Sequence, residues 1–191
     1  MRHAFAQVAE RRGLAYGIEV PTTKTYRFKE EEGAKRVHAR HDLVFLARTH
    51  PAAERQVLVE LKEGQPARGF EYKAVRKDFV KLLREPAAGK SFVHVVPAAD
   101  SGTVPTLISK YSAAYMKALT EVADTFGDCK PEEDSAWFSL FVLVARERGT
   151  AGGGESRLHA IEAASFGDVA RAVRSGSPPF REPVVVLSLR A

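Results

Sequence analysis

The tripeptide Glu60-Leu61-Lys62 closes a short apolar run, Gln56-Val57-Leu58-Val59, and Asp42 opens another, Leu43-Val44-Phe45-Leu46. Both runs have the length and apolar content of strands. Side chains alternate along a strand, so Glu60 and Lys62 project from one face, roughly 6.5–7 Å apart. If the two runs pair as neighbours, Asp42 joins them. Two carboxylates and an ammonium at one spot is a costly arrangement, because like charges repel and each group resists losing water. A divalent cation between the acids relieves that cost and leaves the lysine to act on a negatively charged substrate. The plain alternative is a solvent-facing strand end, where Glu60 and Lys62 pair across the pleat for under ~1 kcal/mol.

Composition narrows the setting. The chain has 191 residues, a length that suits one domain able to bury about 70% of its unfolded surface. Apolar content of 45% and charged content of 28% point to a globular protein rather than a disordered one. The net charge of +5 and pI near 9.4 favour a polyanionic partner such as nucleic acid, and equally fit an ordinary basic surface. The single cysteine, Cys129, excludes an intramolecular disulfide and fits a reducing compartment. Residues 1–10 lack the apolar stretch of a secretory signal. The longest apolar block, around residues 137–145, is far short of the ~20 residues of a membrane span. The expectation is a cytoplasmic protein without a membrane partner.

Periodicity predicts the order of elements. Residues 3–12 read as a helix with Phe5, Val8 and Ala9 on one side, ended by Gly13. Residues 18–20 and 25–28 alternate like strands, residues 30–36 read as a charged turn or strand extension, and strands follow at 42–47 and 56–62. The short loop between those last two favours an antiparallel pair. Residues 72–85 read as a helix with Val75, Phe79, Leu82 and Leu83 on its apolar side, and residues 91–96 as a strand reached by a crossover. Beyond it come a helix over 107–126, a strand over 136–146, a turn over 149–154 and a short strand over 158–162. Ser165 and Asp168 form a capping box ahead of a helix through Arg174, and residues 184–189 close the chain as a strand.

An acid-bearing first helix, an aspartate opening a strand, Glu-x-Lys closing the next, then a basic helix and a further strand occupy residues 3–96. In this the chain resembles the PD-(D/E)xK nuclease superfamily. The resemblance implies an α/β fold with a central mixed sheet flanked by helices. Residues 1–97 would be a restriction-endonuclease-like core of order α-β-β-β-α-β, and residues 98–191 would elaborate the same sheet within a single domain. Residue by residue, it implies that Asp42 and Glu60 are metal ligands. Lys62 would orient or activate the attacking water and stabilise charge on the phosphate. Glu10 falls where many members place a helix glutamate that contributes to the metal site, and Gln65 where some branches carry a functional glutamine. Two features depart from the pattern: His41, not proline, precedes Asp42, and Glu19 is a second acid able to approach the site.

The implied cofactor is Mg²⁺ or Mn²⁺, hard cations that take oxygen ligands. The implied activity is phosphodiester hydrolysis, of DNA by the family's habit rather than RNA, in restriction, anti-phage defence or repair. A homodimer or larger complex stays open. The superfamily includes inactive members, so the alternative is a nuclease-fold module that binds nucleic acid or docks on a protein. Lys73, Lys77, Lys81 and Arg84 follow spacings of four, four and three and form one basic stripe. Laid along a phosphate backbone, the stripe would give a log–log salt slope of roughly −3 to −4; the same stripe also reads as a solvated helix face.

Other chemistries lack a signature. None of the six histidines forms a zinc motif with cysteine, and there is no Gly-x-Ser-x-Gly elbow or phosphate-binding glycine loop. His94 reads as a core histidine, and His38 and His41 as strand-edge or loop residues with a metal role as the other option. Phe138, Phe141, Tyr111 and Tyr115 read as core rather than as base-stacking platforms.

Overall fold

In the first helix, α1 (Arg2–Arg11), the side chains turned to the protein are Phe5, Ala6 and Ala9, while Val8 points to solvent. Gly13 then adopts φ 63 and donates to the Glu10 carbonyl, and Leu14 donates to that of Ala9, closing the helix. The computed structural model describes residues 2–26, 37–46, 55–64, 72–97, 103–127, 130–148, 154–163, 165–180 and 184–190. The charged turn expected at 30–36 and Gln65 lie outside these residues.

Seven strands form one mixed sheet in chain order: β1 (Ala15–Tyr26), β2 (Val37–Leu46), β3 (Arg55–Glu63), β4 (Gly89–Val96), β5 (Trp137–Arg148), β6 (Gly154–Ala163) and β7 (Val184–Arg190). β1, β2 and β3 form an antiparallel meander. The helix α2 (Tyr72–Arg84) carries the chain from β3 to a parallel β4, and α3 (Thr103–Glu121) carries it on to a parallel β5. β6 and β7 return antiparallel, and α4 (Phe166–Arg174) lies between them in sequence. Helix α4 opens on the expected cap: the Ser165 hydroxyl accepts from the Asp168 amide at 3.0 Å.

The period-two alternation of the strands separates two cores. Val44, Leu58, Phe92, Leu140 and Val142 face α2 and α3, where Phe79, Tyr111 and Tyr115 pack. Leu43, Val59, Leu61 and Val93 face the other way, against Phe5 of α1, Tyr16 and Ile18. The protein is thus an α/β fold, a mixed sheet with helices on both faces.

Several elements run further than their sequence pattern predicts; α3 begins at Thr103 and β6 at Gly154, each four residues early. β1 is one strand rather than two, because a register shift between Pro21 and Thr25 absorbs the interruption. β2 begins at Val37, since the polar stretch before Asp42 is held by pairing with β1 rather than by apolar alternation.

Candidate functional site

The β2–β3 ladder runs from Leu46 paired with Arg55 to Leu43 paired with Val59. Past that point Asp42 takes over: its Oδ2 accepts the Leu61 amide at 2.8 Å. Asp42 is therefore bonded to the central residue of Glu60-Leu61-Lys62. Its other oxygen, Oδ1, meets Arg2 Nη2 from the first turn of α1 at 2.9 Å. The second nitrogen of the same guanidinium, Nη1, pairs with Glu19 Oε1, so Arg2 joins two carboxylates.

Glu60 is fully buried. His41 Nδ1 lies 2.6 Å from its Oε1, and Lys81 Nζ of α2 donates to its Oε2. Lys81 also reaches the Arg40 carbonyl at 3.0 Å and Asp78 Oδ1 at 3.0 Å. Asp78 Oδ2 in turn holds Lys62 Nζ at 2.6 Å. The result is a chain of alternating groups, His41–Glu60–Lys81–Asp78–Lys62, running from β2 through β3 to α2.

Burial sets the protonation states here. Loss of solvent, reinforced by the Lys81 charge, pushes the His41 imidazole down to about 3. His41 is thus neutral: Nδ1 and Glu60 Oε1 share one proton between them, and Nε2 has no partner among the described residues. Burial raises the Glu60 carboxyl well above the usual range; Lys81 opposes the rise, and the charges of Asp78 and Asp42 add to it. Burial pulls Lys81 down, but Glu60 and Asp78 outweigh it and raise its pKa.

The remaining site residues are dispersed. Glu10 accepts the Tyr16 hydroxyl at 2.5 Å, and that bond, with burial and the Glu10 charge, raises the Tyr16 phenol. Glu10 stands eight residues from Arg2 along α1, roughly 12 Å at helical rise. Glu19, not Glu10, is thus the acid linked to Asp42. In the basic stripe, Lys81 and Arg84 turn inward and are nearly fully buried. Arg84 donates to the Thr25 carbonyl at 2.9 Å and lies 3.6 Å above the Phe126 ring. Lys77 is half-buried, and Lys73 lies in the first turn of α2.

His94 is buried on β4 beside Lys62. Its Nε2 donates to the Gly64 carbonyl at 3.1 Å, and Nδ1 pairs with the Tyr111 hydroxyl. Burial lowers its pKa, with the Gly64 bond opposing.

Sequence reasoning reads Arg2, with Arg11 and Arg12, as positive charge near Glu10 that contacts nucleic acid or solvates the helix; it missed the pairing of Arg2 with Asp42, the role of Asp78 and the bond between His41 and Glu60. Asp78 carried a signal: three residues after Val75 and four before Leu82, it interrupts the apolar side of α2 with a carboxylate. The partner of Arg2 carried none, because only tertiary packing brings α1 to β2.

Hard oxygen donors are present at Asp42, Glu19, Glu60 and Asp78, the chemistry that Mg²⁺ or Mn²⁺ requires. Each carboxylate is already paired with a side-chain cation, Arg2 serving both Asp42 and Glu19, so a metal would enter by exchange. Among the described residues no three His, Cys, Asp or Glu side chains gather as a ligand set. No helix among them is long and apolar enough to cross a membrane. No family model, curated protein or solved structure matches the chain.

Proposed function

We propose that this chain is a metal-dependent nuclease of the PD-(D/E)xK type that hydrolyses phosphodiester bonds in DNA. The observation that carries the reading is the Asp42–Leu61 hydrogen bond. It ties the aspartate that opens one strand to the middle of the Glu-x-Lys that closes its neighbour. The element order supports the same core: α1, an antiparallel β1–β3 meander, α2, then β4 parallel to β3.

Asp42 and Glu60 are the residues that would hold Mg²⁺ or Mn²⁺. They do not share one spot in the resting state, since Asp42 pairs with Arg2 of α1 and Glu60 with Lys81 of α2 on the other face of the sheet, so both side chains would have to turn to a common ion. The bound metal would lower the pKa of a water and neutralise charge on the phosphate. For its own part, the protein supplies Lys62 as the ammonium that meets the non-bridging oxygens, with Asp78 fixing it in the resting state. A positioned donor of that kind is worth ~3–4 kcal/mol.

Plasmid DNA incubated with Mg²⁺ or Mn²⁺, with and without chelator, tests the reading. Metal-dependent nicking is expected, and Lys62→Ala should lower turnover by at least about 10²-fold while leaving binding in place. Equal cleavage by Lys62→Ala would remove the assignment.

One observation favours a second reading, a nuclease-fold module that binds nucleic acid without cutting it. Both Glu60 oxygens are taken by the protein's own groups, and the side chain has no exposed surface. On that reading the same assay gives gel retardation that weakens with salt, and no nicking at any metal concentration.

A further inference from the structure

Each acid of the site is paired with an internal cation, but the cations are not equivalent. Lys81 is packed against the Glu60 and Asp78 carboxylates and the Arg40 carbonyl, and its side chain is only 10% exposed. Arg2 is 45% exposed and stands on the first turn of α1. The helix macrodipole disfavours a cation there, so the helix itself gives Arg2 no reason to stay. What holds it is the pair of carboxylates, Asp42 and Glu19. Glu19 reaches it from a φ of 54, in the left-handed region that residues other than glycine rarely adopt.

Asp42 spends Oδ2 on the Leu61 amide. The oxygen left for an incoming cation is Oδ1, and the Arg2 guanidinium is on it. We propose that Arg2 is an autoinhibitory latch: its guanidinium occupies the cation position at Asp42, and a divalent metal binds there only by displacing it. The inference rests on the metal-dependent reading above and adds the regulation of that site. Anything that draws Arg2 away, such as the phosphate backbone of a bound nucleic acid, then raises metal affinity. Metal loading and substrate binding become coupled through one side chain.

The latch is exposed enough to open and short enough to compete. A half-exposed ion pair shared between two acids supports a change in apparent metal affinity of about five- to ten-fold.

Titration of the full chain with Mn²⁺ alone, followed by the EPR signal of the free ion, tests this in the parent, Arg2→Gln, Arg2→Lys and Asp42→Asn. Circular dichroism establishes that each variant is folded. The expected result is Mn²⁺ binding that Asp42→Asn abolishes and that Arg2→Gln tightens about five- to ten-fold. Arg2→Lys should fall between, since an ammonium keeps the charge but not the fork that spans two carboxylates. Asp42-dependent binding that Arg2→Gln leaves unchanged or weakens would overturn the latch and leave the metal site standing. Absence of Asp42-dependent binding in both the parent and Arg2→Gln would overturn the metal reading and the latch with it.

Discussion

Replacement of Lys81 by methionine removes the cation facing a carboxylate that has no exposed surface. If Glu60 stays ionised, an unpaired buried charge of this kind costs about 3–5 kcal/mol. If it takes up a proton instead, the cost is that of holding the proton above the ordinary glutamate pKa, about 1.4 kcal/mol for each pH unit. The parent already carries part of that cost, because Glu60 is raised there too; the variant adds the further rise that Lys81 opposes. The sign follows from the direction of the shift. A carboxyl whose folded pKa is raised stabilises the fold fully below its unfolded pKa and loses that contribution as pH rises through the folded value. Removing Lys81 lifts the folded value of Glu60 further, so the deficit of Lys81→Met against the parent should open as pH rises through the parent's folded value and grow above it. Urea denaturation followed by circular dichroism at several pH values measures it. A companion Glu60→Gln/Lys81→Met variant removes both charges and should lose much of the pH dependence, with a coupling of at least ~2 kcal/mol. A deficit under about 1 kcal/mol at every pH would refute the buried-pair argument.

Glu85 accepts from the Thr23 amide and hydroxyl, the Lys24 amide and the Tyr26 hydroxyl, at 2.7–3.0 Å. Burial pushes its pKa up, but these bonds outweigh it and lower the carboxyl overall; Glu85→Gln should cost about 2–3 kcal/mol near neutral pH. That stability is present above the unfolded carboxyl pKa and lost as pH falls through the depressed folded one, so denaturation curves of parent and variant should converge in acid. A Cβ at Gly167 would come within 2.7 Å of the Glu132 carbonyl oxygen and 2.8 Å of that of Asp134. Gly167→Ala should cost about 1–3 kcal/mol in urea melts, since neither backbone group can rotate aside. Ser165→Ala removes the acceptor for the Asp168 amide and should cost about 1 kcal/mol in the same assay.

Much of the fold was legible because local periodicity encodes it. The alternation in residues 42–47 and 56–62 gave two strands, their short loop an antiparallel pair, and the helix after them a crossover to β4. The placement of Asp42 beside the Glu-x-Lys followed from that pairing. The apolar stripe of α2 was readable too, but the direction of its basic residues was not. Lys81 and Arg84 look like solvated charges on a helical wheel. They turn inward because Glu60 and the carbonyls of Arg40 and Thr25 wait beneath them.

The sequence by itself determined the order of most helices and strands, though not their ends, and which acids and lysine lie near the β2–β3 boundary. These follow from side-chain spacing over a few residues. Only the tertiary structure decided which cation neutralises which acid: Arg2 at Asp42, Lys81 at Glu60, Lys62 at Asp78. Ion pairing inside a protein depends on distance and on access to water, and both are set by how layers distant in the chain pack together.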